Sequence, residues 1–149
     1  MRGITLHKEQ ARGENQALLE IASLYETTQY GYKLSFFVSI FRNFKRDSEN
    51  TIIMNLSPHA FASFITTCKG IKEDAATDEN PSIITGKEGK TKVLKVALSK
   101  GRFVVKFLEG EKQFALYLTK ESFEAMILLS EAIFHAALQY VSREAKNDG

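Results

Sequence analysis

Cations, small hydroxyls and flat rings alternate along several short stretches of this 149-residue chain. Within residues 32–45, Lys33, Ser35, Phe37, Ser39, Phe41 and Lys45 share one parity, and Leu34, Phe36, Val38, Ile40 and Phe44 share the other. Alternate residues of a strand point to opposite faces, so one face is expected to be core and the other to carry lysines and rings. Thr51, Ile53 and Asn55 continue the outward set, followed by Val93, Lys95 and Ala97, then Arg102, Val104 and Lys106, with Tyr117 on the last strand. Such a surface suits single-stranded nucleic acid. Unstacked bases regain roughly 1–3 kcal/mol each on an aromatic platform, and lysine and arginine release counterions from phosphates. The candidate binding residues are Lys33, Phe37, Phe41, Lys45, Lys92, Lys95, Arg102, Lys106 and Tyr117. A plainer alternative stays open, in which Phe37 and Phe41 pack under the N-terminal segment or against a second sheet.

The formal net charge of +2 announces no nucleic-acid binder on its own, but the signs are segregated. Residues 87–106 hold Lys87, Lys90, Lys92, Lys95, Lys100, Arg102 and Lys106 against the acid Glu88, whereas Glu73, Asp74, Asp78 and Glu79 collect elsewhere. That distribution permits a positive face on a nearly neutral protein. Neither predicted helix is basic, which argues against a duplex reader that lays a helix in the major groove.

No constellation for catalysis is visible. His7, His59 and His135 are scattered, and none has a cysteine or carboxylate at metal-ligand spacing. The glycines of GKEGK lack the G-x-x-x-x-G-K-[ST] pattern that cradles phosphates. Cys68, the only cysteine, falls on an apolar helix stripe and reads as a buried thiol. No enzymatic activity, metal or cofactor is expected.

These residues must be positioned by a repeated element. Residues 50–65, NTIIMNLSPHAFASFI, match residues 112–127, KQFALYLTKESFEAMI, in chemical pattern without a gap. The offset of 62 superposes Met54 on Leu116, Leu56 on Leu118, Ser57 on Thr119, Phe61 on Phe123 and Ile65 on Ile127. Each copy reads as an alternating strand, a hydroxyl N-cap and an amphipathic helix. Two copies are too few for a solenoid, so a pseudo-symmetric single domain is expected.

The expected class is α+β, with strand-strand-helix copies at about 32–70 and 92–141 forming antiparallel sheets packed with helices. Residues 1–16 read as a flexible arm, residues 17–146 as the domain, and residues 71–90 as a linker with a short strand at 82–85. Residues 17–25, ALLEIASLY, are apolar enough for a strand or a helix. Gly70 is a candidate stop for the first helix. The second helix carries apolar side chains beyond its main stripe, through burial between two layers or a subunit contact at Leu128, Leu129, Phe134 and Tyr140. No apolar run approaches the roughly 18 residues of a membrane span, and the N-terminus lacks a secretory apolar block. A soluble intracellular protein, cytoplasmic or nucleoid-associated, is the expectation.

The stretch TKVLKVALSKGRFVVKFLEGEKQFALYLTKESFEAMILLSEAIFHAALQYV resembles the second half of the Whirly proteins, and ENTIIMNLSPHAFASFITTCKGI resembles the strand-to-helix step of the related transcriptional positive coactivators. The shared signal is pattern over residues 32–141; the lysine-glycine-lysine motif of plant Whirly proteins is absent from the start, and GKEGKTK stands between the copies instead. The resemblance implies two antiparallel sheets packed with helices and a homodimer or homotetramer assembled through helices. It also implies sequence-tolerant binding of single-stranded DNA in replication, recombination, repair or transcription. An RNA-binding module of the same architecture and a protein-interaction scaffold are the alternatives.

Overall fold

The computed structural model describes residues 3–10, 16–43, 47–73, 83–86 and 90–148. Copy one consists of β1 (Ile4–Gln10), β2 (Gln16–Thr28), β3 (Gly31–Arg42), β4 (Thr51–Leu56) and α1 (Pro58–Glu73). Copy two consists of β5 (Ile83–Thr85), β6 (Lys92–Ser99), β7 (Arg102–Glu109), β8 (Lys112–Leu118) and α2 (Lys120–Asp148). Each set of four strands forms its own antiparallel sheet in sequence order. The protein is therefore α+β, two antiparallel sheets with two helices, and the repeating unit is four strands and a helix rather than the shorter unit expected.

Two expected boundaries are corrected, and the open reading of residues 17–25 resolves to a strand. The N-terminal arm contains strand β1, which pairs with β2 and buries Leu6 through a register shift between Thr5 and His7. Residues 17–25 lie in β2, whose neighbours Leu18 and Leu19 are both buried on opposite faces. Helix α1 passes Gly70 and continues to Glu73, because Ile71 is buried and anchors another turn.

Matching caps start the two helices. In copy one, Ala60 N donates to Ser57 Oγ at 3.2 Å and Phe61 N to the Ser57 carbonyl at 2.9 Å. In copy two, Ser122 N donates to Thr119 Oγ1 at 3.2 Å and Phe123 N to the Thr119 carbonyl at 2.9 Å. Each hydroxyl satisfies a donor that the first helical turn leaves unpaired. Each cap also aims a phenylalanine at its sheet. Phe61 stacks on Phe36 of β3 at 4.4 Å, and Phe123 stacks on Phe103 of β7 at 4.2 Å, both with ring planes 9° apart.

Strand register extends the equivalence across both sheets. Ile21, Val38 and Met54 form one buried row, and Val96, Val105 and Leu116 form its counterpart. The inner faces and the helices merge into one continuous apolar core. Lys69 of α1 forms an ion pair with Glu131 of α2. These two residues are themselves 62 apart, so matched positions touch where the two halves meet, as they must beside a two-fold axis.

Two insertions break the symmetry. The β2–β3 hairpin reaches well past the two-residue Lys100–Gly101 turn that closes β6 on β7, and Lys100 and Gly101 both take the positive φ (51° and 79°) of a type I′ turn. Helix α2 is 29 residues long against 16 in α1. The extra turns of α2 lie against the extended hairpin, where Tyr25 meets Tyr140 edge-on at 5.4 Å. One insertion thus supplies the packing surface that the other needs. Within residues 120–144 of α2 an 18-residue stretch reaches a mean hydropathy of 1.3 and the length of a membrane span, yet Phe123, Met126 and Ile127 are buried in the core.

Candidate nucleic-acid interface

The nine candidate residues do not share one surface. Lys33, Phe37 and Phe41 lie on the first sheet, Lys92, Lys95, Arg102, Lys106 and Tyr117 on the second, and Lys45 lies outside the described residues. The second sheet assembles a coherent cluster on the face turned away from the helices. Lys95 of β6 stands directly opposite Lys106 of β7, and Lys106 opposite Ala115 of β8. In the adjacent outward row Ala97, Val104 and Tyr117 align, and Ser99 faces Arg102 in the next. Lys95, Ala97, Ser99, Val104, Lys106 and Tyr117 line a concavity of about 410 Å³ whose lining residues include no carboxylate. Tyr117 remains 55% exposed there, so its ring is available to a ligand.

Two like charges directly opposite each other on a sheet repel, by a few tenths of a kcal/mol up to about 1 kcal/mol. A bound anion relieves that repulsion. The ring beside the two lysines presents a flat face of the kind on which a base can stack, so two cations and an aromatic ring share one concavity.

The expectations for Phe41 and Lys92 are corrected, and Phe37 and Phe134 are partly buried. Phe41 is only 2% exposed, and its row neighbours Leu18 and Thr51 are buried with it on the outer side of the first sheet. Phe37 is half-buried and lines a cleft of about 120 Å³ with Glu20, Ser39 and Ile53, with no cation among the described residues that line it. Lys92 has the inward parity; its Nζ donates to the Ile53 carbonyl at 2.7 Å and lies 4.0 Å from Glu109, so it ties β6 to β4. Phe134 is partly buried and lies within 5.6 Å of Phe36 and 5.9 Å of Phe61, packed against the core. Lys33 is on the extended hairpin, 3.8 Å from Glu26.

Sequence parity missed the contacts that hold the second sheet in place. Glu9 of β1 accepts a 2.9 Å hydrogen bond from the backbone N–H of Tyr117 and lies 3.2 Å from His7 Nε2. Lys112 Nζ donates to the Ser48 carbonyl, and the Arg42 guanidinium sits 4.8 Å above the Phe114 ring. Polar clasps therefore join the sheets around the shared core. Two of the residues, Arg42 and Lys112, had a readable signal, in that each is a charge on an otherwise apolar parity.

The long helix leaves a second surface open. Leu128 is 69% exposed, and Leu129, Leu138 and Tyr140 are also exposed. Leu129, Ala132, Ala136 and Tyr140 line an apolar groove of about 600 Å³ with Ile4, Leu24 and Leu34. Among the described residues, no three His, Cys, Asp or Glu side chains converge on a common point. Burial pushes the Cys68 thiol well above its ordinary value. Neutral and enclosed, it offers no nucleophile. No family model matches the chain, and no curated protein matches it.

Proposed function

We propose that this protein binds single-stranded DNA, without catalysis and with little sequence preference, on the outer face of its second sheet. The observation that carries the reading is the opposition of Lys95 and Lys106 next to the exposed ring of Tyr117. Arg102 adds a third cation two outward rows along β7, opposite Ser99, and Val104 and Ala97 form an apolar floor beneath a stacked base. A face of this kind reads backbone and base planes rather than base edges, which favours sequence tolerance. The sequence resemblance to Whirly proteins and coactivators points the same way. The exposed side of α2 is proposed to join copies of the chain, because residues 125–141 carry one charged side chain, Glu131, and it is paired with Lys69.

The test is a titration of a labelled oligothymidylate over a range of salt concentrations, with light scattering on the same samples for the assembly. Three phosphate-binding cations predict a log–log slope of about −2. Lys95→Glu with Lys106→Glu should weaken binding by at least about tenfold for every base composition, since it reverses the charge of two phosphate contacts. Absence of binding at low salt, or wild-type affinity in the folded double variant, defeats the proposal. Stronger competition by oligouridylate reassigns the strand to RNA, and a monomeric mass removes the subunit contact.

A further inference from the structure

The two sheets share a register on their inner faces, and the same register can be read on their outer faces. Because Ile21, Val38 and Met54 match Val96, Val105 and Leu116, each outward residue of copy one has an assigned counterpart in copy two. The row Lys95–Lys106–Ala115 corresponds to Glu20–Ser39–Ile53. The row Ala97–Val104–Tyr117 corresponds to Ala22–Phe37–Asn55, and Arg102 corresponds to Ser35. Every position that carries a cation in the second sheet's cluster holds an acid or a small hydroxyl in the first.

Copy one is not short of apolar surface. Phe37 is half-buried, and Ile53 is 45% exposed beside it. Among the described residues its outward cations, Lys8 and Lys33, stand at opposite ends of the sheet, Lys8 in the row of Leu18 and Lys33 in the row of Glu26. They flank no common ring. A phosphate placed at the matched centre would meet the Glu20 carboxylate where copy two presents the Lys95 ammonium, over an otherwise equivalent backbone.

We infer that the strand is held by copy two alone, and that Glu20 and Ser39 are the residues that exclude the phosphate backbone from copy one. This inference rests on the proposed single-strand binding and specifies it: one short site per chain, confined to a duplicated scaffold that could carry two. Glu20 and Ser39 are selectivity residues that touch no bound strand in the wild-type protein.

The experiment rebuilds the missing cations. Glu20→Lys with Ser39→Lys should raise the stoichiometry from one short oligothymidylate per chain to two. With a longer oligonucleotide, five cations in place of three should steepen the log–log salt slope from about −2 to about −3.5. Circular dichroism establishes that the variant is folded; Glu20→Lys alone, with an expected slope of about −3, serves if the pair does not fold. A second readout uses the wild-type protein, in which photocrosslinks should fall on Tyr117 and not on Phe37. If folded variants keep the wild-type stoichiometry and slope, or if Phe37 crosslinks, the confinement to copy two is wrong while single-strand binding stands. If the wild-type protein binds no oligonucleotide at low salt, both readings fail together.

Discussion

The first and second sheets agree where they face the helices and disagree where they face away. Inside, Phe36 and Phe103 meet the same helical ring, and rows of Val, Ile, Leu and Met align through matched registers. Outside, Glu20, Ser39 and Asn55 stand where Lys95, Lys106 and Tyr117 stand in the other copy. The inner pattern is constrained by close packing, which penalises any change of volume or polarity, whereas outward residues on a solvated sheet change at little cost to stability. A duplicated fold can therefore retain one architecture while specialising one face for a ligand.

The most severe way to test the equivalence is to remove the stacked ring from each copy. Phe61→Ala and Phe123→Ala should each destabilise the protein by about 3–5 kcal/mol, the usual range for truncating a buried phenylalanine. Both rings are fully enclosed and their stacking geometries agree, so the two losses should be similar. Because the core is continuous through both copies, each variant should unfold in a single transition monitored by circular dichroism. Two separated transitions would show that the copies are independent units and would break the picture of one shared core.

The contrast between the faces also explains what was legible before the structure. Ser57, Thr119, Phe61 and Phe123 were visible as a repeat because caps and helical stripes are local signals, and the structure returns them with matching hydrogen bonds. Strand β1 was not legible. Its sequence ITLHKEQ buries only Leu6 among its apolar residues, and the strand is held by pairing with β2, a long-range contact that local pattern does not encode. Parity gave the direction of Phe41 and of Tyr117 alike, yet one is enclosed and the other open. Parity reports which side of a sheet a residue takes and not whether that side sees solvent, and here Leu18 and Thr51 are enclosed together with Phe41. Lys92 shows the opposite failure: it has core parity, but its long stem carries the ammonium to the Ile53 carbonyl of the other sheet.

A milder comparison acts on the caps. Ser57→Ala and Thr119→Ala each remove one side-chain acceptor from a first helical turn and should cost about 1 kcal/mol. The Thr119 hydroxyl also lies 3.1 Å from Ser122 Oγ, a contact that Ser57 lacks because its counterpart position is Ala60. The loss at Thr119 should thus be the larger of the two by a few tenths of a kcal/mol, measured by urea denaturation. Equal losses would mean that the extra hydroxyl contact contributes nothing, and a larger loss at Ser57 would contradict the matched geometry.

The smallest effect is expected where the copies hold different atoms in the same buried place. Cys68 of α1 matches Ser130 of α2, and both are buried. Ser130 satisfies its hydroxyl by donating to the Met126 carbonyl one turn back at 2.8 Å, and in copy one the matched carbonyl belongs to Phe64. Cys68→Ser should accordingly fold and lose no more than about 1 kcal/mol at neutral pH, because the new hydroxyl has the acceptor that its counterpart uses. The pH dependence sharpens the test. Burial raises the thiol above its ordinary value of 9.0, so the folded state keeps the proton that the unfolded state releases in alkali. The stability associated with the neutral thiol is fully present below about pH 9 and declines above it, by at most about 1.4 kcal/mol per pH unit. Serine has no such titration. The gap between wild type and Cys68→Ser should therefore narrow from pH 9 to pH 10 in paired urea titrations, and a gap that stays constant would place the thiol in contact with water in the native protein.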